Sequence, residues 1–137
     1  MPSIIHDEAH RALDAELDAR LAEFSTRYAG PRRSEYLALT IRDDSGRLVA
    51  GLTGEMFWNV LHIDKLWVDD AFRRFGHGRS LMAAAEDAAR RRGCDVVYVS
   101  TFDFQAPGFY ATLGYSPFGE LAGVPHESKR IWFSKAL

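Results

Sequence analysis

The stretch that most constrains this chain runs from Leu61 to Arg92: LHIDKLWVDD, then AFRRFGHGRS, then LMAAAEDAARRR. Its first part predicts a strand, its middle a short glycine-bearing turn, and its last part a helix. Such a connection leaves the first backbone N–H groups of the helix without intrahelical partners, and the helix dipole adds partial positive charge there. Arg73, Gly76 and Gly78 form the pattern Arg-x-x-Gly-x-Gly. Without a Cβ, Gly76 and Gly78 let the backbone take unusual dihedrals and approach a ligand closely. Arg73, Arg74 and Arg79 add cationic charge around the turn. The pattern suits a pyrophosphate. It is not a P-loop, since no Gly-Lys-Ser/Thr closes it, and it lacks the Gly-x-Gly-x-x-Gly of dinucleotide sites. The plainer alternative is a strand-to-helix connection with solvated arginines.

A chain of 137 residues is expected to be one domain, residues 1–137, with its own core. Apolar content of 47% and charged content of 26% fit a soluble globular protein. A formal charge of −2 offers no footprint for nucleic acid. The 14 arginines against 3 lysines suggest a GC-rich bacterial coding style. Cys94 is the single cysteine, which excludes a disulfide framework and a cysteine-based zinc site; it reads as a small buried apolar residue. No apolar run approaches membrane-spanning length and no apolar signal core opens the chain. A cytoplasmic location with no membrane partner is the expectation.

Residues 3–6 are expected as a short first strand. Ala9, Leu13, Leu17, Leu21, Phe24 and Tyr28 recur at helical spacing, predicting a helix from Asp7 to about Tyr28, ended by Ala29-Gly30-Pro31. Glu35–Asp43 and Arg47–Trp58 predict a hairpin about Asp44-Ser45-Gly46, with Gly51 and Gly54 marking a bulge or a close approach. Leu61–Val68 follows as the central strand. In the helix after it, Leu81, Ala84, Ala85 and Ala88 give a narrow small-residue face, and Gly93 caps its end. Asp95–Thr101 predicts a buried strand. Strand, helix and strand imply a parallel pair beside an antiparallel meander. A short helix over Pro107–Leu113 and two last strands, Tyr115–Leu121 and Lys129–Lys135, complete a mixed α/β (α+β) fold: a mostly antiparallel central sheet with one parallel pair and flanking helices.

The glycine turn and one further motif resemble the GNAT superfamily of acyl-CoA-dependent N-acyltransferases. Arg73-Arg74-Phe75-Gly76-His77-Gly78 is similar to the family's Arg/Gln-x-x-Gly-x-Gly/Ala segment, which wraps the pyrophosphate of coenzyme A. Asp103, Ala106, Phe109-Tyr110 and Leu113-Gly114-Tyr115 fit the family's late motif in order and spacing, with Asp103 where the family usually has Asn. The resemblance covers roughly Glu35 to the C-terminus and, more weakly, the first helix. It implies acetyl-CoA as co-substrate, held at Arg73 to Ser80, with Asp103 contributing. It also implies that a bulge frees a backbone donor among Leu66, Trp67 and Val68 for the thioester carbonyl. The pantetheine arm would then lie between splayed strands.

Acetyl transfer from a thioester to an amine needs a neutral amine, a donor for the oxyanion and a proton for the departing thiolate. A phenol with a pKa of about 10 stays protonated at neutral pH, so Tyr110 suits the acid role, and it matches the family's tyrosine acid. On its own it also reads as a core aromatic beside Phe109. His62 and Asp64 alternate on the central strand and so share a face. Histidine has the pKa for a base near neutrality, and Asp64 could orient it or hold a cationic acceptor; alternatively the two satisfy only each other. Glu55, His126 and Glu127 are further candidates near the acceptor. Trp58, Phe102 and Phe104 could wall its pocket or serve as ordinary core. His62, Asp64, His77 and His126 have no metal-ligand spacing, so no metal is expected. The acceptor implied is a small-molecule or peptidyl primary amine. A non-catalytic acyl-CoA-binding or regulatory module is the alternative. The oligomeric state stays open, with a homodimer admitted.

Overall fold

The computed structural model describes residues 2–137 and forms two compact units, Met1–Arg33 and Ser34–Leu137. The first unit carries one helix, α1 (His10–Ala29). It begins three residues later than periodicity suggests, because Asp7 caps the approach: its carboxylate accepts the Ala9 N–H at 2.8 Å. Gly30, with φ 74°, ends the helix and donates its N–H to Thr26. The strand expected over residues 3–6 does not form. Ile4 and Ile5 are fully or largely exposed, and a strand without a ladder partner leaves its backbone groups unpaired.

The second unit is a six-stranded sheet in the order β1-β2-β3-β4-β6-β5. Its strands are β1 (Glu35–Arg42), β2 (Leu48–Phe57), β3 (Val60–Val68), β4 (Val96–Phe102), β5 (Ser116–Ala122) and β6 (Lys129–Ala136). Its helices are α2 (His77–Arg92) and α3 (Pro107–Thr112), with a single 3-10 turn at Asp70–Phe72. β3 and β4 are the one parallel pair, and all other neighbours are antiparallel. The mixed α/β class and the crossover expected from strand, helix and strand are therefore present.

The β1–β2 turn is organised by Asp43, whose carboxylate accepts from the Ser45 N–H, the Ser45 hydroxyl and the Arg47 N–H. Between β2 and β3 the register slips at Thr53/Gly54, leaving Asp64 as an extra residue on β3. A Cβ on Gly54 would stand 2.6 Å from the His62 carbonyl oxygen, so glycine is required where the bulged backbones meet.

One face of the sheet carries the core: Ala50, Leu52, Met56, Leu61, Ile63, Val97, Val99, Ile131 and Phe133. α2 covers it with Leu81, Met82, Ala85 and Ala89. The expected face is thus rotated, since Ala84 is exposed and Ala88 half-buried. The rotation brings in Glu86, only 5% exposed. It is held by the Tyr115 hydroxyl at 3.0 Å and Lys135 Nζ at 2.7 Å, and a buried charge needs such partners.

Candidate active site

β3 and β4 pair only over Val60–Ile63 and Val96–Val99. Beyond that β3 follows β2 to Val68 and β4 follows β6 to Phe102, so the two strands part. A cavity of about 810 Å³ occupies the gap, lined by the Asp64–Val68 and Val99–Thr101 segments, the start of α2, and Phe109 and Tyr110 of α3. The parting also exposes one edge of β3. Asp69 donates to the Val49 carbonyl at 2.9 Å, which makes this a hydrogen-bonded pair. Trp67 and Gly51, two residues back, are then another. Leu66 and Val68 consequently aim their N–H and C=O groups away from β2 and into the gap. Arg73 Nε, 3.5 Å from the Val68 carbonyl, agrees with this direction. Of the three expected backbone donors, Leu66 and Val68 face the gap, whereas the Trp67 N–H and C=O face β2, although all three residues line the cavity. The bulge itself lies at Asp64 rather than within Leu66–Val68.

The turn into α2 is built by capping. The Asp69 carboxylate accepts the Ala71 N–H at 2.9 Å and pairs with Arg47 at 2.8 Å. Arg73 pairs with Asp70 at 2.8 Å; both side chains are well exposed, so this pair holds the arginine only weakly. Arg74 and Gly76 both have positive φ, 70° and 82°. Gly76 is the N-cap of α2, and its carbonyl receives the first helical bond, from Ser80 at 2.9 Å. The N–H groups of His77, Gly78 and Arg79 therefore have no intrahelical partner. A Cβ on Gly78 would come 3.2 Å from the Phe109 ring, so this glycine lets α3 close against the start of α2. Arg73, Arg74, Gly76, His77, Gly78 and Arg79 line the cavity, while Phe75, Ser80 and Asp103 do not. Asp103 is exposed and donates its N–H to the Lys129 carbonyl.

Tyr110 is 7% exposed and packs edge-on to Phe109 and Tyr115, with the Phe133 ring at 5.9 Å. It lines the cavity, and burial pushes its phenol above the usual tyrosine value. No unpartnered side-chain oxygen is sealed away from solvent among the described residues. The Tyr110 hydroxyl, which bonds to none of them, must therefore open to the cavity.

His62 lies on the other face of the sheet. It is paired across β2–β3 with Glu55 and across β3–β4 with Tyr98, on which its ring stacks. It does not line the cavity, whereas Asp64, two residues on, does. Burial holds the His62 imidazole below the ordinary histidine value, opposed by the charges of Asp64 and Glu55 and assisted by Arg130. A hydrogen bond from Lys65 Nζ at 2.7 Å holds the Asp64 carboxyl below its usual range. Of the other acceptor-side candidates, Phe104 lines the cavity, stacked on Phe102 at 5.5 Å. Trp58 sits in the β2–β3 turn with φ 45°, and His126 and Glu127 are exposed in the β5–β6 turn.

Sequence reasoning missed Ser100, Thr101 and Gln105, which line the cavity beyond Val99. Gln105 Oε1 accepts from the Thr101 hydroxyl at 3.1 Å and the Phe102 N–H at 3.0 Å, bracing the turn that leads to α3. The available signal was Ser100-Thr101 interrupting an otherwise apolar strand, since polar side chains in such a run need a reason. Among the described residues no group of three His, Cys, Asp or Glu could hold a metal ion, and no helix is long and apolar enough to cross a membrane.

A helix N-terminus opening onto a gap between diverging parallel strands, with Tyr110 lining the same cavity, is the arrangement that the resemblance to the GNAT superfamily implies. The chain belongs to the acetyltransferase (GNAT) family, whose model matches residues 2–115. It is 49% identical to the blasticidin-S acetyltransferase of Streptomyces morookaense over 73 residues, 53% of this chain and 54% of that protein. The match thus spans about half the length of that relative. An acetyltransferase of Agrobacterium fabrum strain C58 is 27% identical over 98% of both chains. The crystal structure of an acetyltransferase from Bacillus cereus ATCC 14579 superposes with a TM-score of 0.87, at 29% identity over 100% of this chain and 99% of that one.

Proposed function

We propose that residues 1–137 act as a single catalytic domain that moves the acetyl group of acetyl-CoA directly onto the primary amine of a small molecule in the cytoplasm. The observation that carries this reading is the gap itself. One cavity joins the unpaired N–H groups at the start of α2, the inward-facing edge of β3 and the Tyr110 hydroxyl. The likeness to an acetyltransferase of a small-molecule antibiotic favours a small acceptor over a peptidyl one.

The residues fit acetyl-CoA. The N–H groups of His77, Gly78 and Arg79, with the Arg73, Arg74 and Arg79 side chains, would hold the pyrophosphate. The N–H groups of Leu66 and Val68 would hold the pantetheine arm and polarise the thioester carbonyl. When bound, acetyl-CoA supplies an activated acyl group. Tyr110 donates its proton to the leaving sulfur, and its raised pKa keeps that proton in place through neutral pH. On the opposite face, His62 takes a proton from the incoming ammonium, directly or through water, with Asp64 beside it attracting the cation. Burial keeps His62 neutral and ready to accept. Release of free thiol from acetyl-CoA in the presence of a panel of amines tests this function. Failure of every amine to raise release above the rate without acceptor would overturn it.

A further inference from the structure

On the sheet face that carries His62, Arg130 of β6 is fixed in place. Its Nε and Nη2 both donate to Ser100 Oγ, at 2.9 and 2.7 Å. Its guanidinium lies 4.8 Å from the Trp132 ring and 5.7 Å from that of Phe102, contacts that orient a planar cation. Ser100 lines the cavity where β4 has left β3, so Arg130, bonded to its hydroxyl, stands directly behind that lining. Arg47, Arg73, Arg90 and Arg92 each pair with a carboxylate. Arg130 forms no ion pair among the described residues: both its hydrogen bonds go to one hydroxyl, which leaves part of its five-donor fork unused. A purely structural link would be redundant, since β4 and β6 already pair from Val96↔Ala136 to Phe102↔Arg130.

We propose that Arg130 binds a carboxylate on the acceptor, so that the preferred acceptors are small molecules bearing both an amine and a carboxylate. This rests on the transferase reading above. The charges facing this space are polarised for such a molecule. Glu55 on β2, paired across the sheet with His62, attracts an ammonium and repels a carboxylate, while Asp64 and Lys65 on β3 offset each other in an ion pair. Arg130 stands across the sheet on β6, where strands step by about 4.8 Å each. An acceptor laid across this face therefore places its amine toward His62 and its carboxylate toward Arg130. Bidentate recognition by a stacked arginine gives geometry as well as charge.

The test uses the full chain with coenzyme A present and paired probes: glycine, β-alanine, γ-aminobutyrate, L-phenylalanine and L-arginine, each against its carboxamide. Calorimetric binding and kcat/KM are read for both members of each pair. At least one acid is expected to outperform its amide by about 10-fold or more, the scale of a hydrogen-bonded charge contact. Arg130→Gln should bring that ratio near one and leave coenzyme A affinity and amide binding unchanged. Arg130→Lys, which keeps the charge without the fork, should give an intermediate ratio, and it serves as the folded comparison if the glutamine variant is unstable. A wild-type ratio near one in every pair, or a ratio that survives Arg130→Gln, overturns the proposal. Discriminating binding without acetyl transfer would sink the transferase reading and leave the carboxylate site standing. Transfer to acids and amides alike would do the reverse.

Discussion

The imidazole of His62 lies flat on the ring of Tyr98, with centroids 4.5 Å apart and planes 12° from parallel, at directly paired positions of β3 and β4. The stack fixes the imidazole on the face opposite Tyr110, so the proposed base and acid approach the reacting centre from two sides of one sheet. That separation suits a direct transfer, in which the amine enters from one side and the thiol leaves on the other.

The His62 base role has a pH signature. Burial lowers its pKa below the ordinary 6.5, so the acid limb of kcat/KM should fall at a pH below that value. His62→Ala should lower kcat/KM at neutral pH by about 10²- to 10⁴-fold, with a smaller loss at high pH, where more of the amine is already neutral. Stability has a matching sign. With the folded pKa depressed, the unfolded chain binds the extra proton, so the contribution is present above the unfolded pKa and is lost as pH falls through the folded one. Denaturant midpoints measured between pH 7 and 5 should therefore drop less for His62→Gln than for the wild type. A pH–rate profile merely scaled down would leave Asp64, Glu55 or water as the base.

The turn before α2 makes a second prediction. Gly76→Asp places a carboxylate at the helix N-terminus in open space, with a φ of 82° that side chains tolerate poorly. Gly78→Asp adds both charge and a contact with Phe109. Each should weaken coenzyme A binding by about 10-fold or more, the effect of replacing attraction for the anion by repulsion. Titration of coenzyme A against folded variants decides it. Unchanged affinity in both would remove the pyrophosphate assignment.

How much of this was legible beforehand differs by feature. The glycine turn, the crossover and the order of strands after Glu35 follow from local patterns, because turn chemistry and periodicity act over a few residues. The insertion of β6 between β4 and β5 is a long-range pairing and leaves no local mark. The bulge at Asp64 was half legible: Gly54 marks a bulge or close approach in the sequence, and the register slips there, but alternation along LHIDKLWV reads as a regular strand and does not show which β3 residue is the extra one. Glu86 was missed because a charged residue on an alanine-rich helix reads as solvent-facing. Its partners, Tyr115 and Lys135, are 29 and 49 residues away.

That buried Glu86 is itself testable. Glu86→Ala would leave Lys135 and the Tyr115 hydroxyl without their shared carboxylate, and should cost about 3 kcal/mol or more in urea unfolding. Tyr115→Phe leaves the ion pair with Lys135 intact, removes one hydrogen bond, and should cost about 1 kcal/mol. Equal costs for the two variants would mean that the charge pair contributes nothing beyond the hydroxyl.

Tyr110→Phe separates chemistry from packing. The hydroxyl bonds to no described residue and opens to the cavity, so its removal should leave the contacts with Phe109, Tyr115 and Phe133 in place and the melting temperature nearly unchanged. If the proton it carries goes to the leaving sulfur, affinity for acetyl-CoA should change little while kcat falls by about 10²-fold or more, the pattern of an interaction made mainly in the transition state. Acceptors whose attack is intrinsically slow should suffer most, because there the chemical step limits turnover. Thiol-release rates under saturating acetyl-CoA, alongside thermal melts of both proteins, give the comparison. Wild-type kcat in the phenylalanine variant, with chemistry limiting, would mean that the thiolate departs unaided. Tyr110 would then be a wall of the cavity, and the proton would have to come from water entering through the gap between β3 and β4.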